Sequence, residues 1–179
     1  CVDLVEIFNR STKVLDLKDL VLANYDTITK AIFDYNEISK EPFLILPGEY
    51  FVLSTDSTSI KQVYKTTNPK AFVNMAGFPS MNNDEGVVAI TNKGGLLIDG
   101  VTYNSSMQYP LLTSTDGVSL ERISPERLSG DATNWHSASE AVGYATPGYK
   151  NSQFGITVTN ENEITLSPDI FSPDNDGYN

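Results

Sequence analysis

The sequence predicts an all-β fold, an antiparallel sandwich made of two layered sheets. Helical periodicity is nearly absent from the chain. Short runs rich in Val, Ile, Leu, Tyr and Phe recur between clusters of Gly, Pro, Asn and Asp. Such runs, with turn signals about every 8–12 residues, are typical of antiparallel sandwiches.

The apolar runs define the predicted strands. They cover residues 4–8, 14–17, 20–23, 43–46, 50–53, 86–90, 96–99, 101–103 and 117–123. Pro47-Gly48 is a turn dipeptide just before the strand at 50–53. Residues 92–95, Asn-Lys-Gly-Gly, predict a hairpin turn, because Gly tolerates a positive φ.

Two stretches interrupt this rhythm. Residues 56–78 predict a short helix at 59–64, followed by a loop through Asn68 and Pro69. Residues 124–152 are rich in Pro, Ser, Gly and Thr, which predicts a path along the surface. Trp135 is the exception in that stretch, and we expect its large side chain to close one end of a core.

The chain divides into two parts at about residue 152. Residues 1–152 form the predicted sandwich, and residues 153–179 are a linker and the start of a following module. Residues 153–159 fit either one more strand or the first part of that linker.

Composition narrows the classes of partner. The chain has 179 residues and a net charge of -11, so its long-range field repels phosphate and argues against nucleic acid. No apolar run approaches the roughly 20 residues that a membrane-spanning helix needs. Cys1 is the only cysteine, which excludes an intrachain disulfide. Cys1 is either a lipid-anchored terminus or an accident of where the chain starts. No signal peptide is visible, so we expect a segment that was trimmed, processed or taken from inside a longer protein.

An ordered series of short motifs resembles the lamin-tail domain, an immunoglobulin-like sandwich found in nuclear lamins and in exported bacterial proteins. In chain order the matching pieces are Asp3-Leu4-Val5-Glu6-Ile7-Phe8-Asn9-Arg10-Ser11, Val14-Leu15-Asp16-Leu17, Leu46-Pro47-Gly48-Glu49-Tyr50-Phe51-Val52-Leu53, Asn83-Asp84-Glu85-Gly86, Leu97-Ile98-Asp99-Gly100-Val101-Thr102-Tyr103, Ser119-Leu120-Glu121-Arg122, Asn134-Trp135, and Ala145-Thr146-Pro147-Gly148 with Asn151-Ser152. The resemblance implies an immunoglobulin-like antiparallel sandwich.

Two departures mark a divergent bacterial member. The family's amino-terminal strand with an Ile-Asn-Glu-like motif lies before Cys1 or is absent, and no Gly-Trp follows Leu17. We therefore do not transfer lamin-specific partners to this chain.

The tail from Phe171 to Asn179 resembles the start of carboxy-terminal modules in surface proteins of gliding-type bacteria, which implies an extracellular or outer-surface location. Asp174 and Asp176, with Asn175 and Gly177, follow the alternating-oxygen pattern of calcium loops. They are candidate Ca²⁺ ligands, and the alternative is a polar turn that opens the next module. No other cofactor is predicted.

Catalysis has few candidate residues. His136 is the only histidine, and it is either a general base or a loop imidazole packed beside Trp135. No nucleophile elbow accompanies it, since Gly117-Val118-Ser119-Leu120-Glu121 lacks the second Gly. Glu6 alternates with Val5 and Ile7, so it faces away from one core layer, and we expect it to pair with Arg122.

The leading functional hypothesis is a non-catalytic structural, adhesion or targeting module that binds other protein domains or surface polymers. The alternative is a carbohydrate- or peptide-binding module that serves an enzyme on the same parent chain, with loop tyrosines as its binding face. The candidate tyrosines are Tyr25, Tyr35, Tyr64, Tyr109, Tyr144 and Tyr149. A third hypothesis, an enzyme, requires a cleft that joins His136 to an acid and a hydroxyl.

Overall fold

Eleven strands and one α-helix make up the regular structure of residues 2–155, the part of the chain that the computed structural model describes. The strands are β1 (Val5–Phe8), β2 (Leu15–Asp16), β3 (Leu20–Tyr25), β4 (Ile32–Glu37), β5 (Leu44–Ile45), β6 (Tyr50–Ser54), β7 (Phe72–Asn74), β8 (Glu85–Asn92), β9 (Leu97–Asn104), β10 (Leu120–Arg122) and β11 (Trp135–Ser137). The helix α1 spans Ser57–Val63. These elements confirm the predicted all-β class.

Two sheets enclose the main hydrophobic core. One sheet has the order β4-β3-β8-β9 and the other has the order β1-β6-β7. Leu22 and Val88 from the first sheet meet Phe51, Leu53 and Val73 from the second in one cluster of buried side chains. The arrangement is a sandwich, as the sequence predicted.

One strand pair departs from the predicted antiparallel pattern. Strands β6 and β7 are parallel, with Val52 opposite Phe72 and Ser54 opposite Asn74. Parallel neighbours need a crossover connection, and α1 lies in that connection. The helix confirms the prediction for residues 59–64, but it begins at Ser57 because the Asp56 side chain accepts hydrogen bonds from the backbone N–H groups of Thr58 and Ser59.

A second apolar cluster covers the outer face of the β1-β6-β7 sheet. Val52 of β6 packs there with Ile60 of α1, Tyr64 and Ala145. Glu6 of β1 stands opposite Val52 in the ladder, so both side chains point to this outer face. The face is closed by α1 and by residues 145–153, which we call the closing segment.

Several local expectations need correction. Strands β4 and β7 occur where no strand was predicted. The surface run at 124–152 contains β11, which begins at Trp135 and pairs with β10. Trp135 belongs to β11 and is only partly buried, and its ring N–H donates to the Ser129 carbonyl. It therefore does not close one end of a core from a loop, contrary to the prediction from the sequence.

The predicted last strand is shorter in the structure, and the boundary predicted at about residue 152 stays a prediction. The run at 117–123 keeps strand geometry only in β10, Leu120–Arg122. Residues 152–155 form a turn, which argues against a strand starting at Gln153. The rest of 153–179 lies outside the described residues.

Candidate functional site

Glu6 places a carboxyl group beneath the closing segment. Alternation along β1 sends Val5 and Ile7 toward the main core, so Glu6 points to the opposite side. Its Oε2 accepts a hydrogen bond of 2.6 Å from the Gly148 backbone N–H. Gly148 has a φ of +85°, and a Cβ at that position would lie 3.1 Å from the Asn68 carbonyl oxygen. Glycine is therefore required where the closing segment passes over Glu6.

Glu121 of β10 holds the same segment at three points. It is a buried residue, with 4% of its surface exposed. Its Oε1 accepts a hydrogen bond of 2.5 Å from the Thr146 hydroxyl. Its Oε2 accepts one of 2.6 Å from the Ser152 hydroxyl and one of 3.2 Å from the Gln153 backbone N–H. Glu6 and Glu121, the carboxyl pair, thus fasten the closing segment from its start to its end.

The carboxyl pair has unusual electrostatics. Burial raises the pKa of Glu6 from 4.5 to about 8, and the negative charge of Glu121 adds to the rise, whereas the hydrogen bond from Gly148 opposes it. Burial also raises the pKa of Tyr50 and of Tyr149, and both carboxyl groups contribute to those shifts. Neither carboxylate forms an ion pair with any residue between 2 and 155.

A raised carboxyl pKa often marks a catalytic acid, but only when the group lines a cleft. Glu6 and Glu121 line neither the cavity around His136 nor the cavity at the base of the β8–β9 hairpin, two cavities of the described chain. Their oxygens accept hydrogen bonds from the closing segment. The arrangement is therefore suited to holding the chain. Its most connected member is Glu121, which is part of the Ser119–Arg122 motif but was not predicted to be a site residue.

The expected ion pair between Glu6 and Arg122 is wrong. Arg122 donates from Nη1 to Asp99 Oδ2 at 3.0 Å, and its Nε donates to the Ser124 carbonyl at 3.2 Å. The side chains of Glu121 and Arg122 leave opposite faces of β10, because neighbouring strand residues alternate. Arg122 accordingly connects the edge strand β9 to the loop after β10 and has no path to Glu6.

His136 lies in a shallow cavity of about 200 Å³. The lining residues are Tyr109, Leu112, His136, Ser137, Ala138, Ser139, Glu140, Tyr144 and Gln153. The imidazole packs against the Tyr109 ring at 5.7 Å between centroids, and its Nδ1 lies 3.1 Å from the carbonyl oxygen of Ser137. The non-catalytic alternative expected a loop imidazole packed beside Trp135. In the structure His136 lies on β11, and its ring packs against Tyr109.

The serine hydroxyls of this cavity are already engaged. Ser137 donates to the Gln108 side-chain oxygen at 2.5 Å and accepts from the Tyr109 backbone N–H at 2.7 Å. The Ser139 oxygen accepts from the Ala141 backbone N–H at 3.2 Å. A nucleophile must instead share its proton with a base, and no described serine does so with His136.

An open polar cavity of about 680 Å³ lies at the base of the β8–β9 hairpin. It brings together Asp84, Glu85 and Asn104, all with exposed or partly exposed side chains. The Asn104 side-chain oxygen already accepts from the backbone N–H and the hydroxyl of Ser106. Asp84 and Glu85, the two acids of the Asn83–Gly86 motif, therefore share a surface depression that is open to solvent.

The six candidate tyrosines are divided among different environments. Tyr64 is buried and donates its hydroxyl to the Gly117 carbonyl at 2.9 Å, so its expected exposure is wrong. Tyr35 and Tyr109 are exposed, by 56% and 44%. Tyr25, Tyr144 and Tyr149 are partly buried. Tyr109 and Tyr144 line a common cavity, the one that also contains His136.

The predicted calcium ligands Asp174 and Asp176 lie outside the described residues, so that hypothesis stays a prediction. Within residues 2–155, no group of three or more His, Cys, Asp and Glu side chains is placed to hold a metal ion. None of the helices in the same range has the length and apolar character needed to cross a membrane.

Comparison of the chain with protein-family models, with curated proteins and with solved structures finds no match. Function is therefore inferred from the carboxyl pair, the cavities and the sequence motifs.

Proposed function

We propose that the chain is a non-catalytic structural, adhesion or targeting module of a multidomain exported bacterial protein, with a sandwich of the lamin-tail type. The use of the carboxyl pair supports this proposal best. The carboxyl group with the most raised pKa, Glu6, and its neighbour Glu121 fasten backbone and hydroxyl groups of the closing segment. In an enzyme we would expect such groups to line a cleft.

The positions of the motif residues support the lamin-tail part of the proposal. Asn9 is 3% exposed, and its side-chain amide donates to the Lys13 and Ile45 carbonyls at 2.8 and 3.0 Å. Gly48, in the Pro-Gly turn before β6, has a φ of +81°. These residues of the resemblance thus have structural roles, which is what a shared scaffold requires.

A turnover assay tests the non-catalytic part. We expect the full chain to leave chromogenic esters, glycosides, phosphate esters and peptides unhydrolysed, with rates equal to those of the variant His136→Ala. Hydrolysis that disappears in His136→Ala, in a variant whose circular dichroism is unchanged, would contradict the proposal.

A retention assay tests the adhesion part. We expect beads coated with the full chain to hold envelope fragments of a gliding-type bacterium longer under flow than beads coated with an unrelated acidic β-sandwich of equal net charge. Equal retention by the two kinds of bead would remove adhesion and leave a purely structural role.

The second candidate function is a carbohydrate- or peptide-binding module, and the cavity around His136 favours it. Tyr109 presents an exposed ring there, Tyr144 and Glu140 lie in the same wall, and such mixed aromatic and polar linings recognise sugars and peptide side chains. The expected result is binding on a glycan or peptide array that Tyr109→Ala abolishes. Tyr35→Ala is the matched control, because Tyr35 is also exposed but lies on β4, outside this cavity. Equal signals from both variants would exclude this cavity as the site.

A further inference from the structure

Two carboxyl side chains, Glu6 and Glu121, make four of the hydrogen bonds that attach the closing segment to the sandwich. The Glu6 carboxyl group accepts a hydrogen bond from the Gly148 N–H at 2.6 Å. The Glu121 carboxyl group accepts hydrogen bonds from the Thr146 hydroxyl, the Ser152 hydroxyl and the Gln153 N–H at 2.5, 2.6 and 3.2 Å. Neutral groups add further bonds, since Asn151 donates to the Arg122 carbonyl at 3.0 Å and the Ser152 hydroxyl oxygen accepts from the Ser139 N–H at 2.9 Å. The apolar contribution of the segment to the second cluster is a single small residue, Ala145. Its attachment therefore depends on two carboxyl groups, and a change in the charge of Glu6 acts directly on it.

We propose that Glu6 and Glu121 form a pH-dependent clasp, which holds the closing segment against the β1-β6-β7 sheet most firmly in acid and loosens it progressively as the pH rises from acidic to mildly alkaline values. Because the chain continues beyond the closing segment, the clasp governs how firmly that continuation is tied to the sandwich. This inference is independent of whether the module acts in adhesion or in ligand binding.

The titratable groups that face Glu6 in the clasp are the carboxyl group of Glu121 and the phenol groups of Tyr50 and Tyr149. Burial is the largest cause of the raised pKa of Glu6, Tyr50 and Tyr149. The charge of Glu121 on β10 adds to the rise at Glu6, and the charges of both carboxyl groups add to the rise at Tyr50 of β6 and at Tyr149 of the closing segment. When Glu6 loses its proton, a negative charge appears at this half-buried residue, close to the buried Glu121, and no described cation pairs with either carboxylate. Like charges in a poorly solvated site repel each other and favour an opened state in which water reaches them.

The direction of the pH effect follows from the two pKa values of Glu6. The group keeps its proton up to about pH 8 when the clasp is closed, but only up to about 4.5 when it is exposed. Below 4.5 both states are protonated, and the clasp is fully stable. Between 4.5 and 8 the closed state binds more protons, so its stability falls as the pH rises, by up to about tenfold in the opening equilibrium per pH unit. Above pH 8 Glu6 is deprotonated in both states, and the pH-dependent stabilisation of the closed state is fully lost.

A carboxyl titration of the full chain tests the clasp directly. The side-chain ¹³C resonance of Glu6, followed by NMR, is expected to titrate near pH 8. The amide resonances of Gly148 and Gln153 are expected to move with the same midpoint, because both N–H groups bond to the carboxyl pair. A midpoint for Glu6 near 4.5, or amide resonances that do not follow it, would overturn the proposal.

Variants separate the clasp from a general effect of charge. Glu6→Gln keeps an oxygen that accepts from Gly148 but has no charge to gain, so we expect hydrogen exchange in residues 145–153, corrected for intrinsic rates, to be independent of pH between 6 and 9. Wild-type exchange in that segment is expected to rise by about tenfold or more over this range.

Glu49→Gln is the matched control. Its Oε2 also accepts a single backbone N–H, that of Leu46, at 2.7 Å, but in an exposed turn. We expect Glu49→Gln to keep the full pH dependence of the wild type. A Glu6→Gln variant that retains the same pH dependence would refute the clasp, and if that variant does not fold, the wild-type titration of Glu6 still decides the question.

Discussion

Residues 2–104 and residues 105–155 differ in what fills their interiors. The large aliphatic side chains that are fully buried all belong to the first region, and they are Leu17, Leu22, Ile38, Ile45, Val52, Leu53 and Ile60. In the second region the largest fully buried side chains are Asn134 and Pro147. Buried Glu121, Ser137 and Thr146 add further polar groups there.

The difference indicates two ways of holding a chain. Apolar packing is non-directional and tolerates changes of similar volume. A buried polar network is specific, but each member depends on partners with correct geometry, and the loss of one leaves others unpaired. We therefore expect the first region to set the global stability and the second region to open locally when a single polar partner is removed.

The largest expected effect is that of Leu53→Ala in the main core. Leu53 is completely buried among Leu22, Phe51 and Val73. Removing its side chain is expected to lower the free energy of unfolding by about 2–5 kcal/mol, through lost burial and the remaining cavity. Urea denaturation measures the change. Leu111→Ala, whose side chain is 77% exposed, is the control and is expected to change stability by less than about 0.5 kcal/mol. Similar losses in both variants would mean that this core does not set the stability.

The second effect is that of Asn134→Ala in the polar region. The Asn134 amide donates to the Ser124 and Leu128 carbonyls at 2.9 and 3.3 Å, and its oxygen accepts from the Ser124 N–H at 2.9 Å. Removing these bonds is expected to cost about 2–3 kcal/mol, since buried backbone groups lose their partners. Hydrogen exchange is expected to rise mainly in residues 120–155, whereas Leu53→Ala raises it throughout. A uniform rise in Asn134→Ala would erase the distinction between the two regions.

The same contrast explains which features could be predicted from the sequence. Strands β3, β6, β8 and β9 were recognisable, because their apolar runs are long and bounded by turn residues. Strand β7 is three residues long, and its parallel pairing with β6 depends on the crossover through α1. Short strands of this kind have no local signal.

The candidate site was predictable only to the level of one side chain's direction. Alternation along β1 correctly sent Glu6 away from the main core, but it could not name a partner, and the expected Arg122 bonds to Asp99. Glu121 accepts from Thr146 and Ser152, which lie 25 and 31 residues further along the chain. Such contacts depend on how loops return to the sheet, and the spacing of residues does not encode that.

A smaller effect is expected at the start of α1. The Asp56 carboxylate accepts from Ser59 and Thr58, and the hydrogen bonds from Ser59, followed by that from Thr58, hold the pKa of Asp56 below its ordinary 3.8. The stabilisation is therefore present above pH 3.8 and is lost as the pH falls through the lowered value. Asp56→Ala is expected to lower Tm at neutral pH, and the difference from the wild type is expected to shrink in acid. Asp56→Asn, an equally good cap, is the control and is expected to stay close to the wild type.

The smallest expected effect is a gain in stability, and it is expected at a polar residue buried in the apolar first region. Thr91 of β8 is completely buried, and its hydroxyl has no hydrogen-bond partner within residues 2–155. Replacing that hydroxyl with a methyl group removes an uncompensated desolvation cost, so Thr91→Val is expected to raise the free energy of unfolding by about 0.5–1 kcal/mol.

Thr91→Ser is the matched control for this last change, because it keeps the hydroxyl and deletes the methyl group. We expect it to lower stability, since it adds a small cavity without removing the unpaired oxygen. If Thr91→Val instead destabilises the protein, the hydroxyl makes a bond that matters, and the first region also depends on a buried polar contact. The opposite responses expected of Thr91→Val and Asn134→Ala, both at fully buried polar residues, follow from whether the polar atoms have partners.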